Sequence, residues 1–429
     1  EVSRLMDALI QTPFELDRAP LIRSRLFRLG PEEHVWFFMT HHLIWDGWSF
    51  DLMYTDMAEL YAAQLEGREP KLPELTVSYA DFSAWHRDWL QGPEYAKQLA
   101  FWRERLGGAS HAIEALPTDM PRRPGMSGRG VTHRINVANE VTAALHDTAR
   151  KVDATLYMVL LTAYFALISR TSNLRELIVG TPVRGRNTAE VENLMGYFTS
   201  LLPLRMEIDP SMTFAQAVKQ VKNVVLDSFA NPDIRLEDLV RELSVRSREG
   251  GAVLYHALFS FQDIRQRMCE WGPLTHERYP VFQTASTQDL GLWFVEQDTG
   301  LSGGFIYNAD IFLDETAALL RDRYVAVLKA LGSDPSLTLE QITRFEDGQP
   351  LRFGRTVEAV APVAGETPVA LEAELYEPLD ELGGQLLEIW RDLLRKPDIG
   401  ADDDFFALGG HSLQAVQMFH RFNRETGVN

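Results

Sequence analysis

The pattern of hydrophobic and polar positions predicts a chain of alternating strands and helices. Short apolar runs at 34–40 (HVWFFMT) and 175–183 (RELIVGTPV) are bounded by polar or turn-forming residues, which predicts strands. Two further apolar runs, joined by polar residues at 292–308 (LWFVEQDTGLSGGFIYN), predict a hairpin. The longest apolar run, at 154–169, is shorter than a bilayer span and is flanked by charged residues, so it predicts a buried helix. The predicted class is α/β.

The same pattern divides the chain into two domains and a linker. Strand and helix signals alternate through the first domain, and the proline- and glycine-rich stretch Met120–Gly130 predicts the crossing between its two lobes. A stretch without periodicity follows and predicts a linker. The predicted boundaries are 1–345 for the first domain, with lobes of about 1–120 and 121–345, 346–375 for the linker and 376–429 for the second domain.

Composition narrows the classes of function. The formal net charge of −19 over 429 residues argues against sequence-independent binding to nucleic acid or to an anionic membrane. The single cysteine, Cys269, excludes an internal disulfide and fits a reducing cytoplasm. Glu1 opens no signal-peptide pattern. These features favour a cytoplasmic protein without nucleic-acid or membrane partners.

A pair of histidines follows the first predicted strand directly, in HHLIWDG at 41–47. A histidine exchanges a proton near pH ~6.5, and a strand end places it at a cleft, so His42 is the candidate catalytic group with His41 beside it. Asp46 is interpreted as a structural anchor, and Gly47 as a residue in a backbone conformation that side chains resist. On these residues alone, the alternative to a catalytic role is that both histidines are ordinary residues at a strand end, with their hydrogen bonds satisfied within the structure.

The Asp46 carboxylate needs a partner if it lies near the protein interior, because an unpaired buried charge is costly. Two arginines in TPVRGR, Arg184 and Arg186, are the candidates for this ion pair. The pairing is a hypothesis, since the sequence alone does not bring the two segments together.

A second chemical signal lies in DDDFFALGGHSLQAVQ at 402–417. Helical spacing of apolar residues over 379–395 predicts a helix before it, and the glycines within it allow a tight turn into another helix. Ser412 falls in the first turn of that later helix, where free N–H groups and the helix dipole favour an attached phosphate. An ordinary helix-capping serine is the alternative interpretation.

Both motifs resemble known families. HHLIWDG resembles the HHxxxDG core of the condensation domains of nonribosomal peptide synthetases, members of the chloramphenicol-acetyltransferase-like superfamily. DDFFALGGHSL resembles the phosphopantetheine attachment motif of peptidyl carrier proteins. Further condensation-domain blocks follow in the family's order: YADFSAW (79–85), FWRERL (101–106), GTPVRGR with MGYFTSLLPLR (180–205) and LSGGFIYNADIFLDETAALL (301–320).

The resemblance implies a two-lobed α/β acyltransferase-like domain, with its active site between the lobes, tethered to a small all-α four-helix carrier domain. It implies that His42 serves amide formation between the acyl or peptidyl thioester of an upstream carrier and a carrier-bound aminoacyl acceptor. It also implies a covalent 4'-phosphopantetheine on Ser412, added by a phosphopantetheinyl transferase. No metal site is predicted.

Some positions depart from the family's pattern. The family's opening segments precede HHxxxDG by a longer stretch than residues 1–40, so we expect an incomplete amino-terminal lobe and a carrier that lacks its last helices. Thr199 and Ser200 replace the usual valine and asparagine of the GxFVNT block, and 247–256 (SREGGAVLYH) departs from an RDxSRxPL pattern. Because of these two departures, the family's pattern does not identify the substrate.

Related functions are the alternatives. An epimerization domain shares HHxxxDG, but is expected to follow its carrier and to show an EGHGRE-like block, and this sequence has neither feature. A heterocyclization domain has aspartates in place of His41 and His42. An ester-forming condensation domain and a degenerate domain that only docks carriers stay open.

The spacing of the two domains predicts how the acceptor is loaded. An adenylation domain usually stands between condensation and carrier domains, but the segment from Phe345 to Tyr376 is too short for one of ordinary size. We therefore expect loading by a separate adenylating enzyme in trans, with an adenylation domain elsewhere in the parent polypeptide as the alternative.

Overall fold

The computed structural model describes residues 1–108, 116–122, 126–243, 254–263, 271–277, 285–297, 299–345, 381–394, 396, 399–400, 418, 422 and 426. Two compact units make up the chain. The first unit comprises 1–50, 195–197 and 360–429, and the second comprises 51–194 and 198–359.

The first unit begins with a helix and a two-stranded antiparallel sheet. Helix α1 (Val2–Gln11) is followed by β1 (Ile22–Arg28) and β2 (His34–Thr40). Strand β2 has the bounds that the apolar run predicts. The Arg23 guanidinium donates to the carbonyl oxygen of Leu9, at 2.9 Å, so β1 satisfies a free carbonyl in the last turn of α1.

The second unit is built on a mixed sheet with the strand order β3-β8-β7-β6-β4-β5. Strand β6 is parallel to both β4 and β7, and the other neighbouring strands are antiparallel. The predicted hairpin over 292–308 is confirmed as the pair β7 and β8. The strand bounds are β3 (Gly130–Ala138), β4 (Glu176–Val183), β5 (Ser200–Glu207), β6 (Ala257–Asp263), β7 (Leu290–Gln297) and β8 (Gly300–Asn308).

Helices pack against this sheet and bury its core. Large aromatic side chains of helix and strand, among them Trp102, Tyr164 and Phe305, are fully buried. The predicted α/β class is confirmed. The helix bounds are α2 (Gly47–Glu66), α3 (Tyr79–Trp89), α4 (Pro93–Leu106), α5 (Asn139–Lys151), α6 (Leu156–Ser172), α7 (Phe214–Phe229), α8 (Leu236–Glu242), α9 (Asp314–Ser333) and α10 (Leu339–Ile342).

Helix α6 carries the longest apolar run and is buried along most of its length. Its first turn is capped by the Thr155 hydroxyl, which accepts from the N–H of Met158, and Asn173 ends it in a left-handed conformation. The prediction of a buried helix is confirmed. Within the described residues, no single helix is both long enough and apolar enough to cross a bilayer. Helices α5 and α6 meet these two conditions only when taken together, and the pair is bent by 99°.

The predicted helix over 379–395 is present as α11 (Glu381–Leu394) in the first unit. Its Ile389 side chain is buried together with Met418, and Phe422 packs against them. The linker 346–375, Cys269, Ser412 and the glycines before Ser412 lie outside the described residues.

Candidate functional site

His41 is held in place by its own side chain. Strand β2 ends at Thr40, and His41 caps the single 3-10 turn His42–Ile44. Its Nδ1 accepts a hydrogen bond from the N–H of Leu43 at 3.1 Å. Burial, and then the neighbouring His42, lower the pKa of His41, and an unprotonated Nδ1 is the form that can accept this bond. The His41 imidazole therefore has a structural role, as the cap of this turn.

His42 has a different environment. Its side chain is exposed, and its ring meets the ring of Tyr197 edge to face, with 5.4 Å between centroids and 77° between planes. Within the part of the chain that the structure describes, no hydrogen bond to the His42 imidazole is found. Both histidines follow the end of β2, so their position relative to the strand does not distinguish them. The capping bond of His41 is what distinguishes them.

Asp46 anchors the start of α2. One of its carboxylate oxygens, Oδ1, accepts from the N–H of Ser49 and lies 2.9 Å from the Ser49 hydroxyl oxygen. This is the geometry of a helix N-cap, with Gly47 as the first helical residue. Asp46 is 2% exposed and Ser49 is 0% exposed, so both groups are inside the protein.

Ser49 also binds a distant segment of the same unit. The N–H of Gly196 donates to the Ser49 Oγ at 2.9 Å, and Oγ is also 2.9 Å from the Gly196 carbonyl oxygen. The residue after Gly196 is Tyr197, whose ring contacts His42. The stretches around HHLIWDG and MGYF thus meet through Ser49 and Tyr197, which were not among the predicted site residues.

The prediction of an unusual backbone conformation at Gly47 is wrong, because Gly47 opens α2 and is not among the residues with positive φ. The glycine with that requirement in these motifs is Gly185 of TPVRGR, with φ of 64°. A Cβ atom at Gly185 would lie 1.8 Å from the carbonyl oxygen of Phe198, so no other residue fits there.

The two candidate arginines lie in the second unit, in different environments. Arg184 forms an ion pair with Glu192 at 2.9 Å and is partly exposed. Arg186 is buried; it donates to the carbonyl oxygen of Leu194 at 2.9 Å and stacks on the Phe198 ring at 4.1 Å. A pairing of Asp46 with either arginine stays a prediction.

Two residues of the site were missed by the sequence analysis, Ser49 and Tyr197. A signal that reaches Ser49 is present, because an aspartate just before a helix favours the N-cap position and its oxygen then accepts from an N–H two or three residues on. No local signal identifies Tyr197, since its contact with His42 joins segments far apart in the sequence. Across the described residues, no group of three or more His, Cys, Asp or Glu side chains is arranged to hold a metal ion.

Comparison with known proteins identifies the family. The model of the condensation domain family matches residues 1–350, and that of the phosphopantetheine attachment site matches 384–429. The chain belongs to the condensation domain family, and a domain that carries covalent 4'-phosphopantetheine follows in the same polypeptide. The buried contact of Ile389 with Met418 agrees with a small helical carrier, although the predicted attachment residue, Ser412, is not described.

The curated relatives are much longer proteins. A linear gramicidin synthase protein of Brevibacillus parabrevis is 35% identical over 333 residues, which are 77% of this chain and 6% of that protein. Phosphinothricin tripeptide synthetase PhsC of Streptomyces viridochromogenes is 33% identical over 361 residues, 83% of this chain and 32% of that protein. The chain thus spans a third or less of these relatives.

Solved structures share the fold. The first condensation domain of the calcium-dependent antibiotic synthetase, in complex with a substrate analogue, is 25% identical with a TM-score of 0.64, covering 79% of this chain and 74% of that one. The X-domain from teicoplanin biosynthesis, in complex with OxyB, is 25% identical with a TM-score of 0.70, covering 80% and 77%.

Proposed function

We propose that this chain is part of a nonribosomal peptide synthetase and forms an amide bond between two carrier-bound substrates. The amine of an aminoacyl acceptor attacks the thioester carbonyl carbon of an upstream donor. The carbon–nitrogen bond forms, the carbon–sulfur bond breaks, and the donor carrier's thiol leaves with the proton that the amine loses. The product is longer by one unit and stays on the acceptor carrier.

The observation that carries the proposal is the environment of His42. Its imidazole is exposed, and it is not engaged by a hydrogen bond from any described residue, whereas His41 is used as a cap. An α-amino group has a pKa of about 7.7, so a useful fraction is neutral at pH 7 and needs no strong base. His42 therefore orients the acceptor amine, stabilises the developing charge and shares in its proton transfer.

The two matched domains support a proposal for the partners. We propose that Ser412 carries the phosphopantetheine arm, that a phosphopantetheinyl transferase adds it, and that an upstream carrier delivers the donor. The condensation match ends at 350 and the attachment match begins at 384, which leaves too little chain for an intervening adenylation domain. Loading by an adenylating enzyme in trans is part of the proposal. The single cysteine, Cys269, supports a reducing cytoplasm as the site of action.

A docking role is the second candidate. It is favoured by the likeness to the X-domain, whose structure was solved in complex with OxyB. On this alternative the domain recruits another protein and His42 has no chemical task. An ester product, from a hydroxyl acceptor in place of an amine, is a variant of the first proposal.

The test is a joining assay with the full chain, an acyl-loaded upstream carrier and an acceptor amino acid loaded on the chain's own carrier. Intact mass should show one phosphopantetheine added to the wild-type chain and then one acyl group transferred. Ser412→Ala should abolish the first mass increase. His42→Ala should keep the phosphopantetheine arm and lose most of the acyl transfer. His41→Ala should lose less of the transfer than His42→Ala.

The outcomes separate the alternatives. An arm on the Ser412→Ala variant would refute the attachment residue. Equal and complete loss of transfer in His41→Ala and His42→Ala, with both folded by circular dichroism, would refute the division of roles. A folded, loaded wild-type chain that never joins cognate substrates but still binds a partner protein would support the docking alternative.

A further inference from the structure

We propose that Ser49 and Tyr197 are positioning residues for His42, an inference that rests on the proposed amide-forming function. Ser49 fixes the backbone at Gly196, and the next residue, Tyr197, orients the imidazole. Each link lies within the first unit.

The first link is the buried Ser49 hydroxyl. It has one proton and two lone pairs, and three polar atoms lie 2.9 Å from its oxygen: Asp46 Oδ1, the Gly196 carbonyl oxygen and the Gly196 nitrogen. The Gly196 N–H donates to it, and its own proton is given to one of the two oxygens. Because Ser49 is 0% exposed, water cannot replace these bonds if the hydroxyl is removed.

The second link is the Tyr197 ring. Tyr197 is 37% exposed, so its ring is not enclosed by a core. The backbone is held one residue earlier, where the Gly196 N–H donates to Ser49. The edge-to-face geometry against His42 restricts the plane of the imidazole. Histidines that act on protons usually have their ring oriented by a hydrogen bond that one ring N–H donates to a carbonyl or carboxylate oxygen. Here no described residue forms such a bond with His42, so the Tyr197 ring is the contact that sets its orientation.

The chemical consequence concerns turnover. A misoriented imidazole still allows both carriers to bind, but it meets the acceptor amine in the productive geometry less often. The expected signature is a fall in kcat of about tenfold with little change in KM for the donor carrier.

The experiment combines kinetics with the resonance of the His42 ring. The full chain is labelled with 13C-histidine, and the Cε1–H signal of His42 is assigned by its disappearance in His42→Gln. The Tyr197 ring current shifts this signal in the wild type. Tyr197→Leu should move it, Tyr197→Phe should keep it because the ring remains, and Ser49→Ala should move it although Ser49 does not touch His42.

A matched control is Ser169→Ala, which removes another buried serine hydroxyl, one that donates to the Leu174 carbonyl oxygen in the second unit. It should leave both the His42 signal and kcat unchanged. Tyr197→Leu and Ser49→Ala should each lower kcat about tenfold, and Tyr197→Phe should retain the wild-type rate.

Two results would overturn the proposal. One is an unmoved His42 signal in Ser49→Ala or in Tyr197→Leu, whatever happens to the rate. The other is a moved signal with wild-type kcat, which would make the contact irrelevant to turnover. If the wild-type chain joins no substrates, the proposed function fails, and the link from Ser49 to His42 is then decided by the resonance alone.

Discussion

The two units hold their side chains in place by different means. In the second unit, aromatic residues such as Phe294 and Phe305 are 0% exposed between helices and a broad sheet. In the first unit, β1 has no buried residue and β2 has only Phe37, and a two-stranded sheet is marginal by itself. The candidate chemistry is therefore found where apolar burial is thin and hydrogen bonds fix the geometry. In the second unit, removing an apolar side chain should be the change that costs most stability. In the first unit, removing a polar group that makes hydrogen bonds should disturb both stability and side-chain placement.

The largest expected effect tests this comparison with two phenylalanines. Phe305→Ala should lower the free energy of unfolding by about 3–5 kcal/mol, because it opens a cavity in a closed core. Phe37→Ala should cost less, since the two-stranded sheet around it can relax and admit water. Urea unfolding monitored by circular dichroism measures both losses. Equal losses would contradict the contrast between the units.

The sequence predicts the parts of the fold that local patterns determine. The strand at 34–40, the hairpin β7 and β8, and the helices α6 and α11 follow from runs of apolar residues with the spacing of their element. The motif HHLIWDG locates the site for the same reason, since its residues are adjacent in the chain.

The contacts that organise the site are not predictable in this way. Ser49 and Gly196 are 147 positions apart, and no local pattern in the sequence predicts that they meet. The same holds for His42 and Tyr197. The conformation expected at Gly47 was wrong because a glycine after an aspartate also suits a plain helix start, and the glycine that needs positive φ is Gly185.

The second prediction sharpens the polar side of the comparison. Asp46→Ala removes the cap of α2 and leaves the buried N–H of Ser49 without its acceptor, which should cost about 1–3 kcal/mol. Asp46→Asn keeps a capping oxygen and should fall between wild type and alanine. Melting temperature ranks the three proteins. An Asp46→Ala variant that melts like wild type but makes no product would assign Asp46 to catalysis.

The same aspartate tests the predicted ion pair. If Arg184 or Arg186 pairs with Asp46, the loss from Asp46→Ala rises to about 3–5 kcal/mol, because a charged group loses its partner. Removing the correct arginine as well should then cost less than the sum of the single losses. Additive losses with both arginines would exclude the pairing.

The smallest expected effect is the pH dependence that His41 contributes. Burial, and then His42, lower the pKa of His41 below the ordinary value of 6.5 that it regains on unfolding. The unfolded chain therefore binds a proton at a higher pH than the folded one, so this stability is complete above about pH 6.5 and is lost as the pH falls towards the lowered pKa. Protonation of Nδ1 would also break its bond from the Leu43 N–H.

His41→Asn keeps an acceptor for this bond but does not titrate, so its free energy of unfolding should fall less than that of wild type between pH 7.5 and 5.5. Urea unfolding at several pH values in that range measures the difference, and His34→Asn, which alters an exposed histidine of the same unit, is the control. Parallel curves for wild type and His41→Asn would show that the capping histidine does not differ from an exposed one, and the contrast between His41 and His42 would lose its physical basis.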